Sequence, residues 1–112
     1  MKKVPFYQQP DHKDCGPTCL RMLAKYYGKD LSIEYLRNLS ETTREGSSLH
    51  FLSQAAEQIG FRSLGVKIHY RDLRDQAPLP CMVHWEGQHF VVIDRIKGQK
   101  VSVVDPALGR RT

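Results

Sequence analysis

The chain has 112 residues, enough for one domain with a hydrophobic core and too few for two. The net charge is +5, but no run interleaves basic with aromatic residues, so we do not expect a nucleic-acid partner. No apolar stretch is long enough to span a bilayer, and the N-terminus lacks the apolar core of a signal peptide. Three cysteines at irregular spacing make a poor disulfide or zinc pattern, so reduced thiols are expected.

Residues 4–13 are polar and predict an extended arm, and three helices are predicted after it. Apolar residues recur at helical spacing over residues 15–27, and Gly28 is a natural C-terminal stop. Ser32 is placed to cap a short second helix, and Ser48 is placed to cap a third that ends before residue 60.

The hydrophobic period changes after these helices, and strands are predicted. Residues 69–75 predict one helical turn and residues 76–80 a loop. Lys97-Gly98 and Glu86-Gly87 are expected hairpin turns. The predicted strands are residues 61–68, 81–85, 89–96 and 100–105. Helices followed by an antiparallel sheet indicate an α+β fold. No closing element is predicted after residue 105, so we expect residues 1–112 to be one domain of a longer protein.

Cys15 is a candidate nucleophile because it falls at the start of the first predicted helix. Asp14 is a suitable N-cap residue, and Pro17 fits the first turn. Helix N-termini stabilise a thiolate, which is the nucleophilic form of cysteine, and Gly16 would leave room for a substrate. The alternative is that Cys15 is a small buried hydrophobic residue, as free cysteines often are.

His89 and Asp105 are a candidate base and its orienting acid. A three-residue turn over residues 96–98 would place His89 directly opposite Asp105, on the same face of the hairpin. A two-residue turn at Lys97-Gly98 would shift the pairing by one residue. Asp105 would accept a hydrogen bond from one imidazole nitrogen and leave the other free as a base. The alternative for Asp105 is a turn residue before Pro106.

The other histidines compete with His89 for the role of base. His12 lies in the polar arm, and His50 and His69 are expected to be exposed. His84 would lie opposite His89 if the intervening turn were tight, but no acid is placed to orient it. We interpret His84 as a structural strand residue.

Gln9 is a candidate oxyanion donor because it precedes Cys15 by six residues. A glutamine side chain and the Cys15 backbone N–H would together supply two donors. Gln8 is adjacent, so spacing alone does not choose between the two, and a solvated polar arm is the alternative for both.

Together these residues resemble the C39 peptidase family, the papain-like domains at the N-terminus of bacterial ABC transporters that export bacteriocins and similar peptides. The segment QPDHKDCGPTCLRMLAKYYG resembles the family's cysteine motif, and HFVVIDRIKGQKVSVVDPALG resembles its histidine motif. The resemblance assigns Cys15 as nucleophile, His89 as base, Asp105 as orienting acid and Gln9 as oxyanion donor.

The resemblance also implies a substrate, partners and a location. The substrate would be a precursor peptide whose N-terminal leader ends in two small residues, typically Gly-Gly, after which the domain cuts. The partners would be the transmembrane and ATPase domains of a parent ABC transporter at the cytoplasmic face of a bacterial membrane. ATP and Mg²⁺ would belong to that ATPase, and no metal or cofactor is expected in this domain. Candidate leader-binding residues are Gly16, Tyr26, Tyr27, Ile68 and Tyr70. The alternative for the aromatic residues is that they fill the core, and this is the expectation for Tyr27.

Two other functions remain open at this point. A non-catalytic docking module would bind the cargo peptide without cutting it, although intact Cys15, His89 and Asp105 argue against that. A metal-binding domain would use Cys15, Cys19 and a histidine, but the sequence offers no second ligand pair at zinc spacing.

Overall fold

The chain begins with an arm that leads into three helices. A computed structural model of the chain describes residues 3–61, 74–75, 78–85 and 89–112. A short 3-10 turn, His12–Asp14, leads directly into helix α1, Cys15–Tyr26. Helices α2, Ile33–Leu39, and α3, Leu49–Gln58, follow.

The predicted helix ends are confirmed by their capping contacts. Ser32 accepts a hydrogen bond from the Tyr35 amide, and Ser48 accepts one from the Phe51 amide. Each serine thus pairs one of the amides that a helix start leaves without an intrahelical partner. Gly28, two residues beyond α1, has a φ of +93°, a conformation that glycine adopts without strain.

The second half of the described chain is a four-stranded antiparallel sheet in the order β1-β2-β3-β4. Its strands are β1, Cys81–Trp85; β2, His89–Lys97; β3, Lys100–Asp105; and β4, Gly109–Arg111. Helices packed on a C-terminal antiparallel sheet confirm the predicted α+β class.

Strand β4 contradicts the expectation that nothing closes the chain after residue 105. A turn follows Asp105, and the chain returns so that Gly109 pairs with Asp105 and Arg111 with Val103. Gly109 has a φ of +103°, which suits a glycine at this sharp reversal. Strand β4 has only three residues and no alternation of apolar and polar side chains, so the sequence did not predict it. The predicted strand 61–68 and the turns at 69–75 and 86–87 lie, wholly or for the most part, outside the described residues.

The register of the β2–β3 hairpin differs from both predicted registers. The turn is at Gly98-Gln99, so Lys97 lies opposite Lys100 and Arg95 opposite Ser102. Beyond Asp94 the register changes by one residue, and Ile93 lies opposite Val103. Asp94 is therefore the extra residue of a β-bulge, a feature that the hydrophobic pattern did not signal.

The hydrophobic core lies between the helices and one face of the sheet. Helix α1 packs against β2, and the arm contributes Val4, which is 1% exposed. The arm predicted as polar is therefore partly a core element. The buried cluster comprises Val4, Cys15, Cys19, Leu20, Met22, Leu23, Ala24, Leu36, Leu52, Ala55, Ala56, Ile59, Phe90, Val92 and Val104. Residues from every helix and from two central strands meet in it, so the sheet and helices are fixed against each other at Cys15 and Phe90.

Candidate active site

Cys15 is the first residue of α1, as predicted, and it lies beside the start of β2. Its thiol receives a backbone hydrogen bond from Phe90, the residue that follows His89, and it feels the charge of Asp105. The three residues assigned from the sequence are therefore close neighbours, although 74 positions separate Cys15 from His89.

Burial is the main influence on the pKa of Cys15 and raises it. Backbone N–H groups of Phe90, Gly16 and Cys15 itself oppose this rise, because they hydrogen-bond to the sulfur and favour the thiolate. Burial also raises the pKa of Cys81 to about 11 and that of Cys19 well above its ordinary value, and no described residue opposes either rise. Cys15 thus has N–H donors that favour its thiolate, but burial outweighs them and the helix-start effect expected from the sequence, and the pKa is raised overall.

His89 and Asp105 are in direct contact. The Nε2 of His89 lies 2.9 Å from the Oδ1 of Asp105. Because an ionised carboxylate only accepts hydrogen bonds, His89 donates to it through Nε2, and in the neutral imidazole Nδ1 then carries the lone pair. The predicted contact is present, although neither predicted register produces it.

The bulge at Asp94 explains how the contact forms. Beyond the bulge Val92 lies opposite Val104, and continuing that register sets Asp105 opposite Val91. Val91 and His89 are two residues apart and share a face, so Asp105 reaches His89 diagonally. Without the bulge Asp105 would lie opposite Val92 and on the other face from His89, since a one-residue slip reverses every side chain.

Asp105 makes both of the contacts that the sequence left as alternatives. Its Oδ1 also accepts a hydrogen bond from the backbone amide of Ala107 at 2.8 Å, which is a turn contact typical of aspartate before proline. The Asp105 side chain is 12% exposed and that of His89 is 31% exposed. The turn therefore holds the carboxylate in place while it contacts the imidazole.

The structure distinguishes Gln9 from Gln8. The backbone N–H of Gln9 donates to the carbonyl of Pro106 at 2.8 Å, which joins the arm to the turn after Asp105. The Gln9 side-chain amide donates to the Asp11 carbonyl, and its Oε1 is buried without a hydrogen-bond partner among the described residues. Gln8 is exposed and donates to the carbonyl of Ala107. Gln9 is thus the half-buried glutamine of the pair.

Asp14 differs from its predicted capping role. It occupies the N-cap position of α1, but its side chain makes no capping hydrogen bond. It is fully buried, and both oxygens accept from the guanidinium of Arg37 in α2, at 2.9 and 2.8 Å. Sequence reasoning missed Arg37, whose signal is only one cation near the end of a short helix. The ion pair holds the residue before Cys15 against α2.

Gly16 packs closely against α3, and its predicted part in clearing space for substrate stays a prediction. A Cβ at this position would lie 2.8 Å from the side chain of Leu52, so the space that the glycine leaves is filled by α3. Tyr26 is partly buried against the core, whereas Tyr27 is 56% exposed, the reverse of the expectation that Tyr27 fills the core. Ile68 and Tyr70 lie outside the described residues.

The remaining histidines of the described chain make contacts other than the one between His89 and Asp105. His84 is exposed, and its ring stacks on the Phe90 ring with 4.5 Å between the centroids. In the strand register His84 lies opposite Phe90, and Trp85 is the residue opposite His89. His12 is exposed and its ring contacts the Arg44 carbonyl.

Neither a metal cluster nor a membrane span is found in the part of the chain that the structure describes. No group of three or more His, Cys, Asp or Glu is placed there to hold a metal ion. None of the described helices combines the length and apolar character needed to cross a membrane. A cavity of about 600 Å³ lies beside residues 41–48, but Cys15, His89 and Asp105 do not line it, so cavity size does not locate the chemistry.

Known proteins resemble the chain along nearly its whole length. The lactococcin-G-processing and transport ATP-binding protein of Lactococcus lactis subsp. lactis is 36% identical over 98% of this chain, and the colicin V secretion/processing ATP-binding protein of Escherichia coli is 32% identical over 98%. The chain spans only 16% of the length of each of these relatives.

Two solved structures share the fold. One is a double glycine motif protease from an AMS/PCAT transporter in complex with its leader peptide, with a TM-score of 0.92 and 32% identity, covering 98% of this chain and 79% of that one. The other is the peptidase domain of Streptococcus ComA, with a TM-score of 0.87 and 31% identity, covering 97% of this chain and 85% of that one. The sequence model of the peptidase C39 family matches residues 3–112, and the chain belongs to that family.

Proposed function

We propose that the chain is a cysteine endopeptidase that removes the double-glycine-type leader from a precursor peptide, such as a bacteriocin. The observation that carries the proposal is the contact between His89 Nε2 and Asp105 Oδ1 at 2.9 Å, beside a thiol that is hydrogen-bonded to the next residue of the same strand. Membership of the peptidase C39 family supports the same chemistry.

Each proposed catalytic group has one task. Burial keeps Cys15 as a thiol, so attack on the peptide carbonyl requires a base, and the Nδ1 of His89 takes the proton. Asp105 orients the imidazole and stabilises its cationic form. The Cys15 backbone N–H and the Gln9 side chain hold the oxyanion. His89 then protonates the leaving amine, and water hydrolyses the thioester to release the leader.

The residues of the leader that bind the domain would be different from the two small residues at the cleavage site. Two small residues at the cut offer little surface to bury, so affinity has to come from apolar residues elsewhere on the leader. A candidate for that contact is the exposed Tyr27, whose ring packs edge-on against Phe61. A cavity of about 270 Å³ lies beside them and is lined by Ala24, Tyr27, Lys29, Ile59, Gly60 and Phe61.

A parent transporter supplies the rest of the proposed function. The named relatives are ATP-binding processing and transport proteins, and this chain corresponds to 16% of their length. We therefore propose that the transmembrane and ATPase domains of an ABC transporter are its partners, at the cytoplasmic face of a bacterial membrane. ATP and Mg²⁺ would act in that ATPase, and the peptidase step would need neither.

The test is incubation of the chain with a synthetic precursor peptide bearing a Gly-Gly leader, followed by mass spectrometry. The proposal predicts a single cut after the second glycine, inhibition by thiol alkylators and no change with EDTA. Binding of the peptide without any cut would identify a docking module instead. Loss of cutting in EDTA that zinc restores would contradict the metal-free mechanism.

A further inference from the structure

Asp94 has a position that the proposed catalytic mechanism does not use. It is the extra residue of the β-bulge in β2, and the bulge puts Asp105 on the same face as His89. Its side chain is only 7% exposed, which is unusual for a carboxylate unless it is paired. One of its oxygens, Oδ1, is buried and has no hydrogen-bond partner within the described residues.

Arg110 of β4 supplies the partner of Asp94. Its Nη1 donates to the Oδ2 of Asp94, and its Nη2 donates to the backbone carbonyl of Val4 in the arm. Arg110 pairs with Val104, which in turn pairs with Val92, so the Arg110 backbone lies two strands away from β2, and its side chain crosses β3 on the core face to reach Asp94. One side chain thus joins the bulge to the N-terminal arm.

Both segments that Arg110 joins lead directly to proposed catalytic groups. The bulge lies five residues after His89 on the same strand. The arm runs from Val4 to Gln9, and the backbone N–H of Gln9 donates to the carbonyl of Pro106. A shift of either segment would displace one half of the site relative to Cys15.

We propose that Arg110 is a positioning residue: through Asp94 it fixes the bulge that aligns His89 with Asp105, and through the Val4 carbonyl it fixes the arm that carries Gln9. The inference rests on the proposed peptidase function for its kinetic consequence. Its structural consequence, the alignment of His89 with Asp105, does not depend on cleavage.

Arginine suits this task better than lysine does. The planar guanidinium presents separate N–H donors in a fixed geometry, so one group reaches a carboxylate and a carbonyl at once. A lysine ammonium would preserve the positive charge opposite Asp94 but would lack the planar set of donors that reaches two acceptors at once. Arg110→Lys is therefore expected to retain folding better than Arg110→Gln and to recover only part of the alignment.

The test compares Arg110→Gln with Arg111→Gln, which removes the same charge from the next, exposed residue of β4. Two properties are measured: the steady-state kinetics on the precursor peptide, and the NMR resonance of the His89 Nε2 proton, assigned by its loss in His89→Ala. We expect Arg110→Gln to lower kcat by about 10- to 100-fold with little change in KM, because small displacements of catalytic groups have effects of this size. The His89 resonance should lose the downfield shift of a proton bonded to Asp105, and Arg111→Gln should match the wild type in both.

A folded Arg110→Gln variant with wild-type kcat, or with an unchanged His89 resonance, would overturn the inference. If Arg110→Gln does not fold because Asp94 is left unpaired, the double variant Asp94→Asn with Arg110→Gln removes both charges and answers the same question. A wild-type chain that cuts nothing would defeat the proposed function, while the His89 resonance would still report whether Arg110 positions the hairpin.

Discussion

Cys15 lies on a helix whose limits are set by nearby residues, whereas His89 and Asp105 meet across a hairpin whose register depends on a bulge. Helix α1 begins at Cys15 and is followed by Gly28, both as the sequence predicts. The hairpin turns one residue later than either prediction, and Asp94 then restores the face that the contact needs. Local signals thus position the proposed nucleophile, and an irregularity in strand pairing positions its proposed base.

This contrast explains what sequence reasoning recovered. Helix caps such as Ser32 and Ser48 act on amides three residues away, so a short window of sequence contains the whole interaction. The sequence predicts the contact between His89 and Asp105 because both residues lie near the open end of one hairpin. The two side chains do share a face, although the strand register that places them there is not the predicted one. The observed turn alone would move the residue opposite Asp105 from His89 to Val92, and the bulge moves it back by one to Val91, so the pairing becomes diagonal and the two side chains stay on one face.

Other features had no signal that a short window could show. Asp14 has the residue type and position of an N-cap, but its partner Arg37 lies 23 residues away on another helix. The burial of Val4 and the contacts of Arg110 depend on the arm and β4 being adjacent, which only the folded chain establishes. The close approach of Leu52 to Gly16 joins two helices that are far apart in the sequence.

The largest expected effect on cleavage comes from Cys15, at the start of helix α1. Cys15→Ala should abolish cleavage while the domain stays folded and still binds the leader peptide, because the attacking sulfur is removed from an otherwise intact core. Peptide cleavage, circular dichroism and binding by fluorescence polarisation measure these three properties. Cys19→Ala and Cys81→Ala are matched controls that should retain cleavage, and activity in Cys15→Ala would move the nucleophile elsewhere.

The hairpin side should respond next. Asp105→Ala should lower kcat by roughly 10²–10⁴-fold, the range for a general base that loses its orientation and charge partner. Asp105→Asn should lose less, since its amide oxygen still accepts from His89 and Ala107. Steady-state kinetics on the precursor peptide separate the two variants. Equal kcat for wild type and Asp105→Ala would mean that Asp105 serves only the turn.

The arm should have a smaller and more selective effect. Gln9→Ala should lower kcat by roughly 10²–10³-fold with little change in KM, because an oxyanion donor acts mainly in the transition state. Gln8→Ala should be nearly neutral, since its side chain is exposed and its hydrogen bond within the described residues is to the Ala107 carbonyl. The reverse pattern in the same kinetic assay would assign the oxyanion role to Gln8.

The Asp14–Arg37 pair should affect stability more than chemistry. Arg37→Gln should lower the free energy of unfolding by about 3 kcal/mol, because it leaves a fully buried carboxylate without its counter-ion. Urea denaturation measures this change, and the exposed Arg44→Gln should stay within about 0.5 kcal/mol of wild type. A change of less than about 1 kcal/mol in Arg37→Gln would show that Asp14 is not held by this pair.

Direct detection of the acyl-enzyme tests the central claim that Cys15 attacks the peptide and His89 assists it. The chain is mixed with precursor peptide, quenched in acid within the first turnover, and examined by intact-mass and peptide-fragment mass spectrometry. We predict an adduct of the leader mass minus water, mapped to Cys15, whose rate of formation falls strongly in His89→Ala. An adduct on Cys19 or Cys81, or cleavage of the precursor with no thioester at any time point, would contradict this account.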